Sequence, residues 1–253
     1  MLTRKNMGKI FIVGLTVASG AFAACPSFDV KLGWEEYKPY QFEEAGQVVG
    51  SDIDVFVAIM RHLSCPYKLE KSPWERTLMN VQNGEFAFAA GATITEERKK
   101  FAWFSEPYDV EKIFPYVLKK KSGQFKEKSI KAMIDKGYKF VVTSGATFGD
   151  EFDALVKSGK LTKEKNLFEV PSETQAAEML TMGRVDIFIA SGEGLNFNAD
   201  VANLKTPLFT NETRFMMSKK KLDPGFVGDV NKAIKALGDK GTFADIKKKY
   251  FKK

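Results

Sequence analysis

The feature that most constrains this chain is a twice-repeated alternation of short strand-like runs with amphipathic helical segments. Such alternation calls for an α/β architecture with parallel-rich sheets, because the helix after a strand carries the chain back before the next parallel strand begins. The first unit opens with "FDVKLGW" (28–34) and a loop containing Pro39. "GSDIDVFVAIMRHL" (50–63) then places Ile53, Phe56, Val57, Met60 and Leu63 on one helical face, with Ser51 or Asp52 as the expected N-cap. "YKLEKS" (67–72) reads as a strand and "WERTLMNVQNG" (74–84) as a short helix with Gly84 as its C-cap. "FAFAAGA" (86–92) is a run of small and apolar residues suited to a strand buried on both faces.

A second unit repeats the pattern. "KIFPYVLKKK" (112–121) is a strand and "KSIKAMIDKG" (128–137) a helix. "KFVVTSGATFGDEFDALV" (139–156) is strand, turn and helix, and "NLFEVPSETQAAEMLTMGRVDIFIAS" (166–191) is strand, helix and strand. "TRFMMSKK" (213–220) is a further strand, and helices over 224–237 and 242–251 close the chain. No Pro/Gly/Ser linker separates the units, so the crossing segments near 112–118 and 206–216 are expected to be extended strands. That arrangement fits a second lobe (114–208) inserted into a first (24–113 and 209–253), with hinge strands and a ligand cleft between them.

Residues 1–23 have the pattern of a cleaved secretory signal: Arg4, Lys5 and Lys9, an apolar run, then Ala21-Phe22-Ala23 as the A-x-A site. The apolar core is too short for a comfortable membrane span. Removing it takes away three basic residues and no acid, so the formal net charge of +7 falls to +4. No basic stripe interleaved with aromatics is present, which argues against nucleic acid as a partner. The two cysteines, Cys25 and Cys65, precede two strands that, as parallel neighbours, would bring the sulfurs together, so a disulfide is expected in an exported protein. The other reading takes "FAAC" (22–25) as a lipoprotein box with Cys25 lipidated, although Phe22 fits it poorly and Cys65 would be left a free thiol.

Arg98 carries the clearest functional signal. In "GATITEERKKF" (91–101) Thr95 is the expected N-cap, and Glu96 and Glu97 suit the first turn, but Arg98 opposes the helix dipole. A bound carboxylate would compensate, gripped by the guanidinium with help from Thr93 and from backbone made approachable at Gly91. An ordinary surface arginine on an amphipathic helix is the competing reading of these residues alone.

The surrounding motifs, "KPYQFEEAGQVVGSDIDV", "GATITEERKKFAWFSEPY", "TSGATFGDEF", "GRVDIFIAS" and "VNKAIKALGDKGTFADIKKKYF", occur in an order that resembles the family 3 extracellular solute-binding proteins, the polar amino-acid receptors of ABC importers. The resemblance implies a type II two-lobed fold, a small-molecule ligand, membrane permease subunits as partners, a periplasmic location, a monomer and no cofactor, metal or catalytic residue. It assigns the ligand α-carboxylate to Gly91, Thr93 and Arg98, and contacts from the second lobe to Ser144, Ala146 and Thr147. Tyr37 and Trp74 take the places of the aromatics that sandwich the ligand side chain, with Trp34 a further pocket residue.

One departure stands out. Where the family commonly has an aspartate for the ligand's α-ammonium, this chain has Ser191, with Glu193 two residues on. A hydroxyl does not neutralise a buried ammonium, so the ligand's amino group is open at this point. Asp186 reads as structural, Arg76 as cleft-facing or solvated, and His62 as a helix-end surface residue. Two alternatives share the cleft: a periplasmic enzyme resembling cyclohexadienyl dehydratase, with Glu35, Glu173 or Glu193 as its acid, and a subunit presenting ligand to a membrane sensor.

Overall fold

The structure, a computed structural model, describes residues 25–148, 150–163, 165–192 and 200–251. The first lobe begins with β1 (Val30–Trp34), β2 (Phe42–Glu44), β3 (Gln47–Val49), α1 (Ser51–His62) and β4 (Tyr67–Lys71). It continues through α2 (Trp74–Asn83), β5 (Phe88–Ala92), α3 (Glu96–Lys99) and β6 (Ala102–Phe104), and leaves along β7 (Asp109–Leu118). The second lobe holds α4 (Ile130–Asp135), β8 (Phe140–Thr143), α5 (Asp150–Lys157), β9 (Leu167–Val170), α6 (Glu173–Thr181), β10 (Ile187–Ser191) and β11 (Val201–Asn203). The chain returns along β12 (Phe209–Ser218) and ends in α7 (Pro224–Asp239) and α8 (Thr242–Tyr250).

The strands run β4-β1-β5-β12-β7-β10-β8-β9 across one curled sheet. Within each lobe the inner strands are parallel: β1 with β4 and β5, and β8 with β9 and β10. The long strands β7 and β12 join the halves, pairing antiparallel from Phe209 opposite Ile113 to Thr213 opposite Asp109. The far end of β12 pairs with β5 and β6, and the far end of β7 with β10. The two crossing segments are thus one paired hinge ribbon continuous with both lobes.

Each lobe has its own core. In the first, Phe56 of α1 meets Phe88 of β5 at 5.3 Å, edge to face, and Phe215 of β12 at 6.0 Å, over a cluster that also takes Phe226, Val230 and Ile234 of α7. The closing helices therefore return to the first lobe. In the second, Phe140, Val142, Phe152 and Ile187 fill one face of the sheet, and Val141, Phe188 and Leu180 the other. Residues alternating along β8 and β10 thus point into different layers, as strands covered on both sides require.

The disulfide forms between Cys25 and Cys65, with Cα atoms 5.5 Å apart. Its cause is the register expected from sequence, since parallel pairing sets Val30 opposite Tyr67. The cap of α1 differs from expectation. Gly50 is the N-cap, without a side-chain hydrogen bond, and Ser51 and Asp52 lie inside the helix and are buried. The loop carbonyls of Pro39 and Tyr40 accept from Ser51 N–H and Asp52 N–H, so the free donors of the first turn need no side-chain cap. Asp52 is released to turn inward. The β2–β3 hairpin, β6 and β11 are further elements that the sequence pattern does not announce.

Candidate functional site

The cleft lies where the carboxyl ends of parallel strands from the two lobes converge, the usual ligand position in open α/β sheets. The end of β1 contributes Trp34 and Glu35, the following loop Tyr37 and Gln41, and the start of α2 Trp74. Gly91 and Thr93 come from β5 and beyond, and Arg98 from α3. The second lobe supplies Thr143, Ala146, Thr147 and Phe148 around the β8–α5 turn, Glu173 at the start of α6, and Ser191 at the end of β10. Glu111 and Ile113 enter from the hinge strand β7.

Arg98 is 6 % exposed. Thr95 caps α3 as expected, its hydroxyl accepting from Arg98 N–H at 3.1 Å. The guanidinium donates through Nη1 to the Thr93 carbonyl and through Nη2 to the Gly145 carbonyl, each at 2.9 Å, so it spans the two lobes. It carries more N–H donors than these bonds use, which leaves donors for a carboxylate. Trp74 lies beneath it, with the guanidinium carbon 5.4 Å from the ring centroid, and its indole N–H donates to the same Gly145 carbonyl at 3.1 Å. Burial lowers the Arg98 pKa to about 10, partly opposed by Asp153. The side chain stays cationic at neutral pH.

Among the described residues, three carboxyl groups line the cleft with this one cation. Glu35 accepts from Trp74 N–H at 2.9 Å, yet burial raises its pKa to about 7. Glu173 is pushed well above the carboxylate range by burial, then by Glu35 and Glu111. Glu111 is also raised by burial, against hydrogen bonds from Ser191 and Tyr37. The Tyr37 hydroxyl donates to Glu111 Oε1 at 2.7 Å and lies against Ser191 Oγ. Three adjacent acids of this kind make a strong receptor for positive charge, which would favour their ionised forms.

Behind the cleft a polar relay supports its floor. Gly91 N–H donates to the Tyr108 hydroxyl at 2.7 Å, and Tyr108 in turn bonds Asp52. Asp52 also accepts from Gln41 Nε2 at 3.3 Å, and burial raises its pKa to about 8. Gly91 has φ 70°, and a Cβ there would sit 3.0 Å from Asp52 Oδ2. That contact and that backbone explain the glycine.

Of the residues singled out from sequence, Arg98, Thr93, Gly91, Thr147, Ala146, Tyr37, Trp74, Trp34 and Ser191 all line this cleft. Thr147 commits its hydroxyl to Asp153 at 2.9 Å, and Tyr37 stacks on Tyr40 at 4.9 Å. Ser144 is not among the lining residues; its N–H donates to the Val170 carbonyl, extending the β8–β9 pairing. Glu193 lies outside the described residues. Asp186 accepts from Lys139 N–H at 2.9 Å, a structural role, and Arg76 is exposed on α2. Glu111 escaped sequence reasoning. Its one signal is an acid inside an otherwise strand-like crossing segment, which by itself does not tell a cleft from solvent.

The family model of the bacterial extracellular solute-binding proteins, family 3, matches residues 30–253. The chain belongs to this family. As a whole it is similar to the arginine-binding periplasmic protein of Mannheimia haemolytica, at 25% identity over 248 residues, covering 93% of this chain and 96% of that one. Among solved structures, an ancestral arginine-binding protein bound to arginine is 26% identical with a TM-score of 0.74, covering 88% of this chain and 98% of that one. An ancestral amino acid-binding protein described as a precursor of cyclohexadienyl dehydratase is 25% identical with the same TM-score of 0.74, covering 88% of this chain and 96% of that one. The type II periplasmic binding fold and a role in solute capture for import follow from this membership.

Proposed function

We propose that this solute-binding protein captures a basic amino acid and delivers it to the membrane permease subunits of an ABC importer. The observation that carries the reading is one cleft lined, among the described residues, by a single guanidinium, buried Arg98, and by three carboxyls, buried Glu111 and Glu173 and half-buried Glu35. A basic amino acid has one carboxylate and two cationic groups, so its charges complement the wall on each side. The arginine-binding relative and the arginine-bound ancestral protein support this choice. Ligand contacts from both lobes favour the closed arrangement only to the extent that the open one lacks them.

In this reading residues 1–23 are the cleaved export signal and the mature chain works as a periplasmic monomer. Its first lobe comprises 24–113 and 209–253, and its second 114–208. Thr93, Thr147 and backbone near Gly91 assist Arg98 at the carboxylate, while Trp34, Tyr37 and Trp74 flank the side chain.

The experiment is a thermal-shift screen of the mature protein against amino acids, organic acids and cyclohexadienyl acids, followed by calorimetry. Saturating ligand adds RT ln(1 + [L]/Kd) to stability. A shift with L-arginine or L-lysine supports the reading; a shift only with acids lacking an amino group sinks it. The acid Glu173, whose proton affinity burial raises in the cleft, gives the dehydratase alternative its one concrete support. Mass spectrometry after incubation with a cyclohexadienyl acid separates the two, since a receptor returns that compound unchanged.

A further inference from the structure

We infer that Glu111, on the hinge strand, is the specificity-determining residue that receives the α-ammonium group of the bound amino acid, with Ser191 and Tyr37 completing its surroundings. The inference rests on the reading of the cleft as an amino-acid site, and it answers the question that Ser191 raised.

The argument starts from strand register. β10 and β7 are antiparallel neighbours with Ser191 opposite Ile113, and residues directly opposite in such a pair share a face of the sheet. Side chains alternate along β7, so Glu111, two residues from Ile113, lies on that same face, just past the end of β10. A carboxylate missing from one strand end is thus present on the adjacent strand. The side chains confirm the adjacency: the Tyr37 hydroxyl donates to Glu111 Oε1 at 2.7 Å and also contacts Ser191 Oγ.

The α-carboxylate and α-ammonium of an amino acid share one carbon, so the acid that takes the second must stand near the donors that take the first. Glu111 lines the same cleft as Gly91, Thr93 and Arg98. Its charge is felt by Asp52 and by Tyr108, whose hydroxyl holds the Gly91 N–H, at the Gly91 end of the cleft. Glu35 instead holds the Trp74 N–H, and Glu173 is acted on first by Glu35 and less by Glu111. These two acids are left for the distal cation of the side chain. The hydroxyls of Tyr37 and Ser191 orient Glu111 and bring no opposite charge against it, so the ligand's ammonium is the cation that would pair with it.

The test uses calorimetry on the mature protein with two pairs of probes: L-arginine against 5-guanidinopentanoate, and L-lysine against 6-aminohexanoate, each pair differing only in the α-amino group. Wild type is expected to prefer the amino acid by about a hundredfold, the scale of a buried charge pair losing one partner. Glu111→Gln, which keeps the acceptor for Tyr37, is expected to reduce that ratio to less than about fivefold. Glu111→Gln combined with Ser191→Asp is expected to restore it, because the carboxylate returns on the neighbouring strand. Far-UV circular dichroism and cooperative melting establish that the variants fold. An unchanged ratio in Glu111→Gln, or equal losses for both members of a pair, overturns the inference while leaving the amino-acid reading intact. If wild type binds neither L-arginine nor L-lysine, the basic amino-acid reading fails first, and the inference with it.

Discussion

Arg98 Nη2 donates to the carbonyl oxygen of Gly145 at 2.9 Å, so the residue best suited to hold a ligand carboxylate in one lobe also ties that lobe to the other. One guanidinium in the cleft thus bonds backbone of both lobes.

Replacing Arg98 by alanine is expected to weaken binding of the cognate amino acid by at least about a hundredfold, as expected when a buried charge loses its partner. The fold should persist, because both cores are built without it. Calorimetry measures the first, and cooperative melting the second. Small-angle scattering should show a larger radius of gyration for the unliganded variant, since a contact across the cleft is gone. An affinity within a few-fold of wild type would remove Arg98 from the site.

Glu35 in the cleft and Asp52 behind it set a pH dependence with a definite sign. Burial raises Glu35 from 4.5 to about 7 and Asp52 from 3.8 to about 8. Between the ordinary and the raised values the folded protein holds protons that the unfolded chain releases, so unliganded stability falls as pH rises through this window. Melting temperature without ligand is accordingly expected to be higher at pH 5 than at pH 8. Binding of a basic amino acid should strengthen in the same direction of rising pH, because the ligand prefers ionised acids. Calorimetry in buffers of different ionisation enthalpy should register proton release on binding near pH 7; proton uptake there contradicts the assignment.

The disulfide stabilises one end of the first lobe, away from the site. Changing Cys25 and Cys65 together to serine is expected to cost about 3–4 kcal/mol, or roughly 10 °C in melting temperature for a chain of this size. Affinity should remain within about twofold, because the bond precedes the amino ends of β1 and β4 while the cleft lies at the carboxyl ends. Chemical denaturation and calorimetry on the same sample check both statements.

Gly91→Ala tests the relay behind the cleft. With φ at 70° and Asp52 Oδ2 only 3.0 Å from the added methyl, the substitution is expected to destabilise the fold by about 1–3 kcal/mol. Displacing the Gly91 N–H from Tyr108 should also loosen the carboxylate end of the site. Denaturant midpoints measure the first effect and amino-acid affinity the second.

What the sequence determined by itself was local or carried by periodicity. Thr95 caps α3 and Gly84 ends α2 because capping chemistry depends on residues within a turn of one another. The Cys25–Cys65 bond was legible because parallel strands in an α/β unit align their starts. Glu111 was not legible: its partners Tyr37 and Ser191 lie 74 residues before it and a whole lobe after it, and only the pairing of β7 with β10 brings them together. The same holds for Asp52, which sequence placed at a helix cap and the fold turned inward, because loop carbonyls had already satisfied the first turn. The sequence specified most of the elements and singled out the arginine that lines the cleft. The tertiary structure decided which acids face that arginine, since strand register and hinge pairing depend on contacts between distant segments, which local sequence spacing does not encode.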